Sequence, residues 1–113
     1  MDRSLKKYLW DILDQINFID QVTAKPLTFE EFEKTLVVLR SVERSFEIIG
    51  EAVKRALAIQ PDLNLSDTKK IIGMRNVLAH GYDMVSPSTL WVTINKSLPV
   101  LKAEVSDLLN SSA

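Results

Sequence analysis

The stretch from Arg75 to Tyr82 places an arginine, an amide, an imidazole and a phenol within eight residues, and His80 is the only histidine in the chain. A guanidinium can bind phosphoryl oxygens through two parallel donors, and a neutral imidazole can accept a proton near pH 7. Arg75 and His80 could therefore hold a phosphate and move a proton beside it. The structural alternative is an ion pair at a helix end, with a histidine that has no chemical role.

The spacing of Arg75 and His80 sets a geometric condition on this chemistry. On a continuous helix, residues five apart point about 140° away from each other. Gly81 favours a helix end near Ala79 or His80, because glycine commonly terminates helices in the left-handed conformation. The imidazole could then turn toward Arg75. Alternatively, a second copy of the chain could supply the complementary set across a two-fold axis.

Three further side chains are candidates for supporting roles. Asn76 could hydrogen-bond a phosphate or fix the His80 ring, or it could simply cap the helix end. Lys69 and Lys70 form a small basic patch with Arg75, which two-fold symmetry would double. The net charge of the chain is −1, which argues against coating nucleic acid by bulk electrostatics, so any RNA binding must rely on such a local patch.

The elements that must position these residues are all predicted to be helical. Apolar residues recur every three or four positions over residues 4–22 and 28–59 and again after Ser86. Three N-termini are marked: a capping box at Thr28 and Glu31, Ser66 as the cap of a short third helix, and Ser86 followed by Pro87. We predict an all-α, up-and-down bundle of three long helices and one short helix that carries the motif.

Two surface features could serve either the fold or the function. Trp10 and Phe18 fall outside the centre of the first apolar face, where they could pack at its edge or meet a partner chain. The second long helix carries a charged stripe, which could be a solvated face with i,i+4 ion pairs or could partly line a cleft opposite Arg75 and His80. The charged stripe consists of Arg40, Glu43, Arg44, Glu47, Glu51, Lys54 and Arg55.

Length and composition limit the remaining possibilities. A chain of 113 residues predicts a single domain over residues 1–113. The absence of cysteine excludes disulfides and thiolate metal sites, and a single histidine excludes a multi-histidine metal site within one chain. We therefore expect no metal and no cofactor. No apolar run reaches the ~20 residues that span a bilayer, and no signal-peptide pattern opens the chain, so a cytoplasmic protein is expected.

The motif resembles a known family signature. An arginine, an asparagine, three residues, a histidine, one residue and a tyrosine are similar to the signature of HEPN proteins of the HepT type, and here they are Arg75, Asn76, His80 and Tyr82. The stretch 40–55 with its Ile-Gly-Glu-Ala sequence resembles the family's second long helix. Residues 71–74 and the pair Leu98-Pro99 are also family-like. The resemblance covers most of the chain.

The resemblance implies the toxin half of a HepT–MntA toxin–antitoxin pair. Such a protein is a metal-independent endoribonuclease, acting as a homodimer or higher assembly, with Arg75 and His80 at the dimer cleft. It implies further that an MntA-type nucleotidyltransferase antitoxin, using ATP as the AMP donor, modifies Tyr82. Two other hypotheses remain: a non-catalytic, nucleotide-binding accessory subunit of a minimal nucleotidyltransferase, and a bundle whose role is only to dimerise.

Overall fold

The chain forms five helices in the computed structural model, which describes residues 1–24, 27–80 and 85–111. Every regular element in these ranges is an α-helix, so the predicted all-α bundle is confirmed. The helices are α1 (Arg3–Val22), α2 (Phe29–Lys34), α3 (Leu36–Ile59), α4 (Thr68–His80) and α5 (Pro87–Ser111). Helix α3 packs against both α1 and α4, while α5 lies against α1 and the short α2.

The first helix shows how the apolar periodicity becomes a core. Helix α1 begins after Asp2, whose carboxylate accepts a hydrogen bond from the Leu5 amide at 2.9 Å. Its positions at intervals of three and four are fully buried, as the pattern predicts, with Tyr8 and Leu13 packed at the margin. The buried residues of α1 are Leu5, Leu9, Ile12, Ile16 and Ile19.

The prediction of one helix over residues 28–59 is wrong, because the helix is interrupted at Thr35. The capping box at Thr28 and Glu31 forms as predicted. Thr35, however, adopts an extended backbone, and its hydroxyl donates to the Glu31 carbonyl at 2.6 Å. The interruption lets α2 bury Phe32, whose ring centroid lies 5.0 Å from that of Trp91 on α5. Tertiary packing of an aromatic residue thus overrides a continuous helical pattern.

The prediction that Ser66 caps the motif-bearing helix is also wrong. The Ser66 amide and hydroxyl both donate to the Glu104 carboxylate of α5, at 2.9 and 2.7 Å. Helix α4 instead begins at Thr68, after Asp67, which has a positive φ of 58°. The Asp67 carboxylate accepts a hydrogen bond from the Ser97 hydroxyl at 2.8 Å. The start of α4 is therefore anchored to α5 by two side-chain contacts.

The start of α5 agrees with its prediction. The Ser86 hydroxyl accepts a hydrogen bond from the Thr89 amide at 3.2 Å, and Pro87 occupies the first helical position. No helix in the described ranges is both long enough and apolar enough to cross a bilayer.

Candidate active site

The position of Arg75 is set by a close approach of α4 to α3. A Cβ placed on Gly50 of α3 would overlap the Cβ of Arg75 and lie 2.9 Å from its Cγ. Only a residue without a side chain allows the two helices to pack at this distance. The base of the Arg75 side chain is therefore held against the α3 backbone.

The tip of the Arg75 side chain is held from two sides. Its Nη2 lies 2.9 Å from Oε2 of Glu51 on α3, and its Nη1 donates to Oδ1 of Asn76 at 3.1 Å. The contact with Glu51 is an ion pair without hydrogen-bond alignment, because the buried Glu51 Oε2 accepts no hydrogen bond from the residues that the structure describes. The Arg75 and Glu51 side chains remain 27% and 31% exposed.

Glu51 also contacts a second cation. The Arg55 Nε, one turn along α3, donates to Glu51 Oε1 at 3.0 Å. One carboxylate thus lies between two guanidinium groups.

Arg75 and Glu51 border a cleft of about 340 Å³ between α1, α3 and α4, which we call the Arg75 cleft. Helix α1 contributes Lys7, Tyr8 and Asp11. The Lys7 ammonium donates to Asp11 at 2.8 Å, and this hydrogen bond raises the pKa of Lys7. The full lining is Lys7, Tyr8, Asp11, Arg44, Glu47, Ile48, Glu51, Ala52, Arg75 and Ala79.

The lining answers the question that the sequence left open about the charged stripe. The cleft is lined by Arg44, Glu47 and Glu51 of this stripe. Arg40 lies outside the cleft, where its Nη1 is 2.7 Å from Oε1 of Glu43. Part of the charged stripe thus faces the same space as Arg75, and Arg40 faces a separate groove between α1 and α3.

His80 is the last residue of α4 and is exposed. Because α4 remains helical through His80, the angular separation of a continuous helix applies to it and Arg75. Ala79 lines the Arg75 cleft, and His80 is not among the described residues that do. Within one chain, the two side chains therefore leave the helix axis in directions about 140° apart.

The remaining candidates are distributed around α4. Asn76 is exposed and accepts the hydrogen bond from Arg75. Lys69 and Lys70 lie at the exposed start of the helix, and Lys70 lines a separate groove with Ser88 and Thr89 rather than the Arg75 cleft. Gly81 and Tyr82, the predicted helix terminator and modification site, lie outside the described residues.

Sequence reasoning did not identify the contribution of α1 to the cleft. Lys7 and Asp11 stand four residues apart, a spacing common to any solvated helix face. Nothing in the sequence distinguishes this pair from the Lys34–Glu30 pair on α2, which faces solvent. Glu51 had one available signal, its place in the family-like Ile-Gly-Glu-Ala sequence.

The fold and the site together define a small all-α domain whose short helix presents an arginine–histidine motif beside a charged cleft. Comparison with known proteins places the chain in the same class: the Ribonuclease HepT-like family matches it over residues 12–108. The chain belongs to this family.

Individual relatives match over nearly their whole length. A protein described as a putative RNase in Caldanaerobacter subterraneus subsp. tengcongensis is 37% identical over 105 residues, covering 92% of this chain and 93% of the relative. A protein of Thermococcus cleftensis described as a probable ribonuclease HepT is 33% identical over 112 residues, covering 96% and 98%. No solved structure matches the chain.

Proposed function

We propose that this protein is a metal-independent endoribonuclease toxin of a toxin–antitoxin pair, with Arg75 and His80 at a dimer cleft. Membership of the HepT-like family supports the activity. The observation that carries the proposal is the Arg75 guanidinium, which is held by Glu51 and Asn76 at the border of a cleft. An arginine fixed in this way can grip a phosphoryl group in one orientation.

Cleavage of RNA needs a base, an acid and a group that stabilises the negative charge on the phosphoryl oxygens in the transition state. His80 takes the proton from an RNA 2′-hydroxyl, that oxygen forms a bond to the adjacent phosphorus, and the bond to the 5′-oxygen breaks. Arg75 stabilises the charge that gathers on the phosphoryl oxygens. The 5′-oxygen leaves with a proton from an acid, and the products carry 2′,3′-cyclic phosphate and 5′-hydroxyl ends.

A dimer supplies what one chain does not bring together. His80 does not line the Arg75 cleft of its own chain, so a second copy that crosses this face can bring an imidazole to it. Two histidines in one composite site also provide both the base and the acid. In a two-fold interface each contact occurs twice, with the roles of the two chains exchanged.

The face beside the cleft is suited to a partner copy. A groove of about 510 Å³ between α1 and α3 shares Arg44 with the Arg75 cleft. Phe18 in this groove is 39% exposed, and Val37 on α3 is 78% exposed. Exposed apolar side chains next to a functional cleft favour an interface. The groove is lined by Gln15, Phe18, Arg40, Ser41, Arg44 and Ser45.

We further propose that an MntA-type nucleotidyltransferase switches the toxin off by transferring AMP from ATP to Tyr82. Tyr82 follows His80 by two residues in the sequence, so an AMP group on Tyr82 would be attached within the same short motif. A bulky anion there would compete with RNA for Arg75 and obstruct the imidazole. The repression is electrostatic and steric, like that of other charge-changing modifications.

The test is cleavage of a mixed cellular RNA pool in EDTA by the wild type and by His80→Ala. Intact mass must first show that Tyr82 carries no adduct. We expect the wild type to produce cyclic-phosphate ends and His80→Ala to be slower by about 10²–10⁴-fold, the usual contribution of a general base or acid.

A matched control keeps this test specific. Asn95 is an exposed polar residue on α5 that does not line the Arg75 cleft, and Asn95→Ala should cut RNA like the wild type. If unmodified wild-type protein leaves every RNA in the pool intact, the ribonuclease proposal is wrong.

A second candidate is a non-catalytic accessory subunit that binds a nucleotide in the same cleft. Its support is that each cleft cation is paired with a carboxylate: Lys7 with Asp11, Arg44 with Glu47 at 3.6 Å, and Arg75 with Glu51. This balance suits a small ligand better than a long polyanion. Nucleotide binding that survives His80→Ala, without RNA cleavage by the wild type, would favour it.

A further inference from the structure

We propose that Glu51 is the positioning residue that orients the Arg75 guanidinium for phosphate, with Arg55 fixing the Glu51 carboxylate in turn. This inference rests on the proposed ribonuclease function and adds a residue on a different helix to its site. The observation behind it is the placement of one carboxylate between Arg55 Nε at 3.0 Å and Arg75 Nη2 at 2.9 Å.

Glu51 differs from the other carboxylates of the Arg75 cleft. Asp11 pairs with Lys7 on its own helix α1, and Glu47 pairs with Arg44 on its own helix α3. Among the three described carboxylates that line the cleft, Glu51 is the one that pairs with a residue of α4. This ion pair is the described contact that fixes the tip of the Arg75 side chain relative to α3.

The pair completes what backbone packing begins. Gly50 fixes the Cβ and Cγ of Arg75, but an arginine side chain still has rotatable bonds beyond Cγ. Asn76 holds Nη1, and Glu51 holds Nη2 from the opposite helix. Without Glu51, the single described restraint on the tip is the amide of the adjacent residue, which is itself exposed.

Glu51 has two opposing effects on phosphate binding. It orients Arg75, but its negative charge also weakens the attraction of the cleft for RNA. The ion pair lacks hydrogen-bond alignment, so the guanidinium donors other than the one that binds Asn76 Oδ1 remain available to phosphoryl oxygens. The Arg55 guanidinium also offsets part of the Glu51 charge, since its Nε donates to Glu51 Oε1 at 3.0 Å. We therefore expect orientation to have the larger effect on the rate.

The two effects predict a split in kinetic constants for Glu51→Gln, which keeps the shape and removes the charge. We expect kcat to fall by roughly 10- to 100-fold, the cost of a catalytic group misplaced by about 1 Å. KM for RNA should stay the same or decrease, because a negative charge has been removed beside a polyanion. A partly unfolded sample would also lower the apparent kcat at an unchanged KM, so thermal unfolding must show that Glu51→Gln is fully folded at the assay temperature.

Two further variants test whether Glu51 acts through Arg75. Glu30→Gln removes a carboxylate of α2 that pairs with Lys34 and lines neither the Arg75 cleft nor the groove between α1 and α3, and it should leave both constants unchanged. In an Arg75→Lys background, Glu51→Gln should cause little additional loss, since groups that act as one unit are not additive. A Glu51→Gln variant that cuts RNA as fast as or faster than the wild type would overturn the proposal.

A readout without RNA separates this proposal from the proposed function. Side-chain ¹⁵N signals of labelled arginine report rotation about the Nε–Cζ bond, and the Arg75 signal is assigned by its loss in Arg75→Lys. We expect slower rotation in the wild type than in Glu51→Gln. If rotation differs but no RNA is cut, the ribonuclease function fails while the orientation of Arg75 by Glu51 stands. If rotation is the same in both proteins, Glu51 is not the positioning residue.

Discussion

At Arg75, a positive charge and a fixed direction are separate requirements that the chain meets with separate residues. The charge belongs to the guanidinium itself. The direction comes from Gly50 at the base of the side chain and from Glu51 and Asn76 at its tip. A planar group held at two nitrogens is suited to a tetrahedral phosphoryl group in a way that a compact ammonium is not.

Arg75→Lys tests whether direction matters beyond charge. Lysine keeps the positive charge but presents a single ammonium, which cannot contact Glu51 and Asn76 with a planar fork while gripping a phosphate. We expect kcat for RNA cleavage to fall by about 10²–10³-fold, as for loss of one stabilising donor. Initial rates on one defined RNA substrate, together with thermal unfolding, measure the effect.

The control for this substitution is Arg3→Lys. Arg3 is exposed at the start of α1 and lines neither the Arg75 cleft nor the groove between α1 and α3. The same chemical change there should leave the rate unaltered. If Arg75→Lys also retains the wild-type rate, charge alone is sufficient and the two-sided restraint has no role in catalysis.

At the scale of elements, the position of α4 depends on contacts at several points along its length. Its start is connected to α5 through Ser66 with Glu104 and Asp67 with Ser97. Its middle lies on α3 at Gly50. Ile71 and Met74 supply its fully buried apolar contacts. Because the buried face of α4 is narrow, these contacts are needed to fix the position of the motif relative to α3 and α5.

Gly50→Ala and Gly73→Ala separate the two roles of glycine in helices. At Gly50 the new methyl group would collide with Arg75, so we expect destabilisation by about 1–3 kcal/mol and loss of RNA cleavage as Arg75 is displaced. At Gly73 nothing lies within 4 Å of the added Cβ, so alanine should stabilise α4 by about 0.5–1 kcal/mol with activity retained.

Denaturant unfolding and RNA cleavage measure both glycine variants under the same conditions. Because each is a glycine-to-alanine change inside a helix, propensity alone predicts the same gain for both. A loss of stability in Gly50→Ala together with a gain in Gly73→Ala would therefore be attributable to the contact between α3 and α4. Equal stability and full activity in Gly50→Ala would contradict the close approach of α4 to α3.

The limits of sequence-based prediction at this scale are local and physical. The bounds of α1, the capping box at Thr28 and the start of α5 at Pro87 follow from residues that are neighbours in sequence. The interruption at Thr35 does not, because it depends on packing of Phe32 against Trp91. The role of Ser66 likewise depends on Glu104, which stands 38 residues away.

The candidate site shows the same division. Arg75, Asn76 and His80 can be selected as candidates from the family-like motif, because they lie within six residues of one another along the chain. The ion pair of Glu51 with Arg75 joins two helices, and the charged stripe offers several equivalent carboxylates. Periodicity places them on one face of α3 but does not say which one meets α4.

At the scale of the whole molecule, one face carries both the cleft and exposed apolar surface. The Arg75 cleft and the groove between α1 and α3 share Arg44, so they form one continuous surface. Phe18 in the groove is 39% exposed, whereas Trp10, which the sequence left between an edge role and a partner role, is 47% exposed but lines neither the cleft nor the groove. A second copy on this face would cover apolar side chains and reach the cleft at the same time.

Val37→Asp tests this arrangement without disturbing the monomer. Val37 is 78% exposed in the first turn of α3, where a carboxylate favours the helix, but in a dimer it would place a charge in an apolar contact. We expect monomers in analytical ultracentrifugation and a loss of RNA cleavage of at least about 10²-fold, because the partner's acid–base contribution is gone. Val100→Asp, at a 48% exposed site on α5, should remain dimeric and active. A Val37→Asp monomer with full activity would show that one chain carries the complete site, since neither the imidazole nor any other group would then come from a partner.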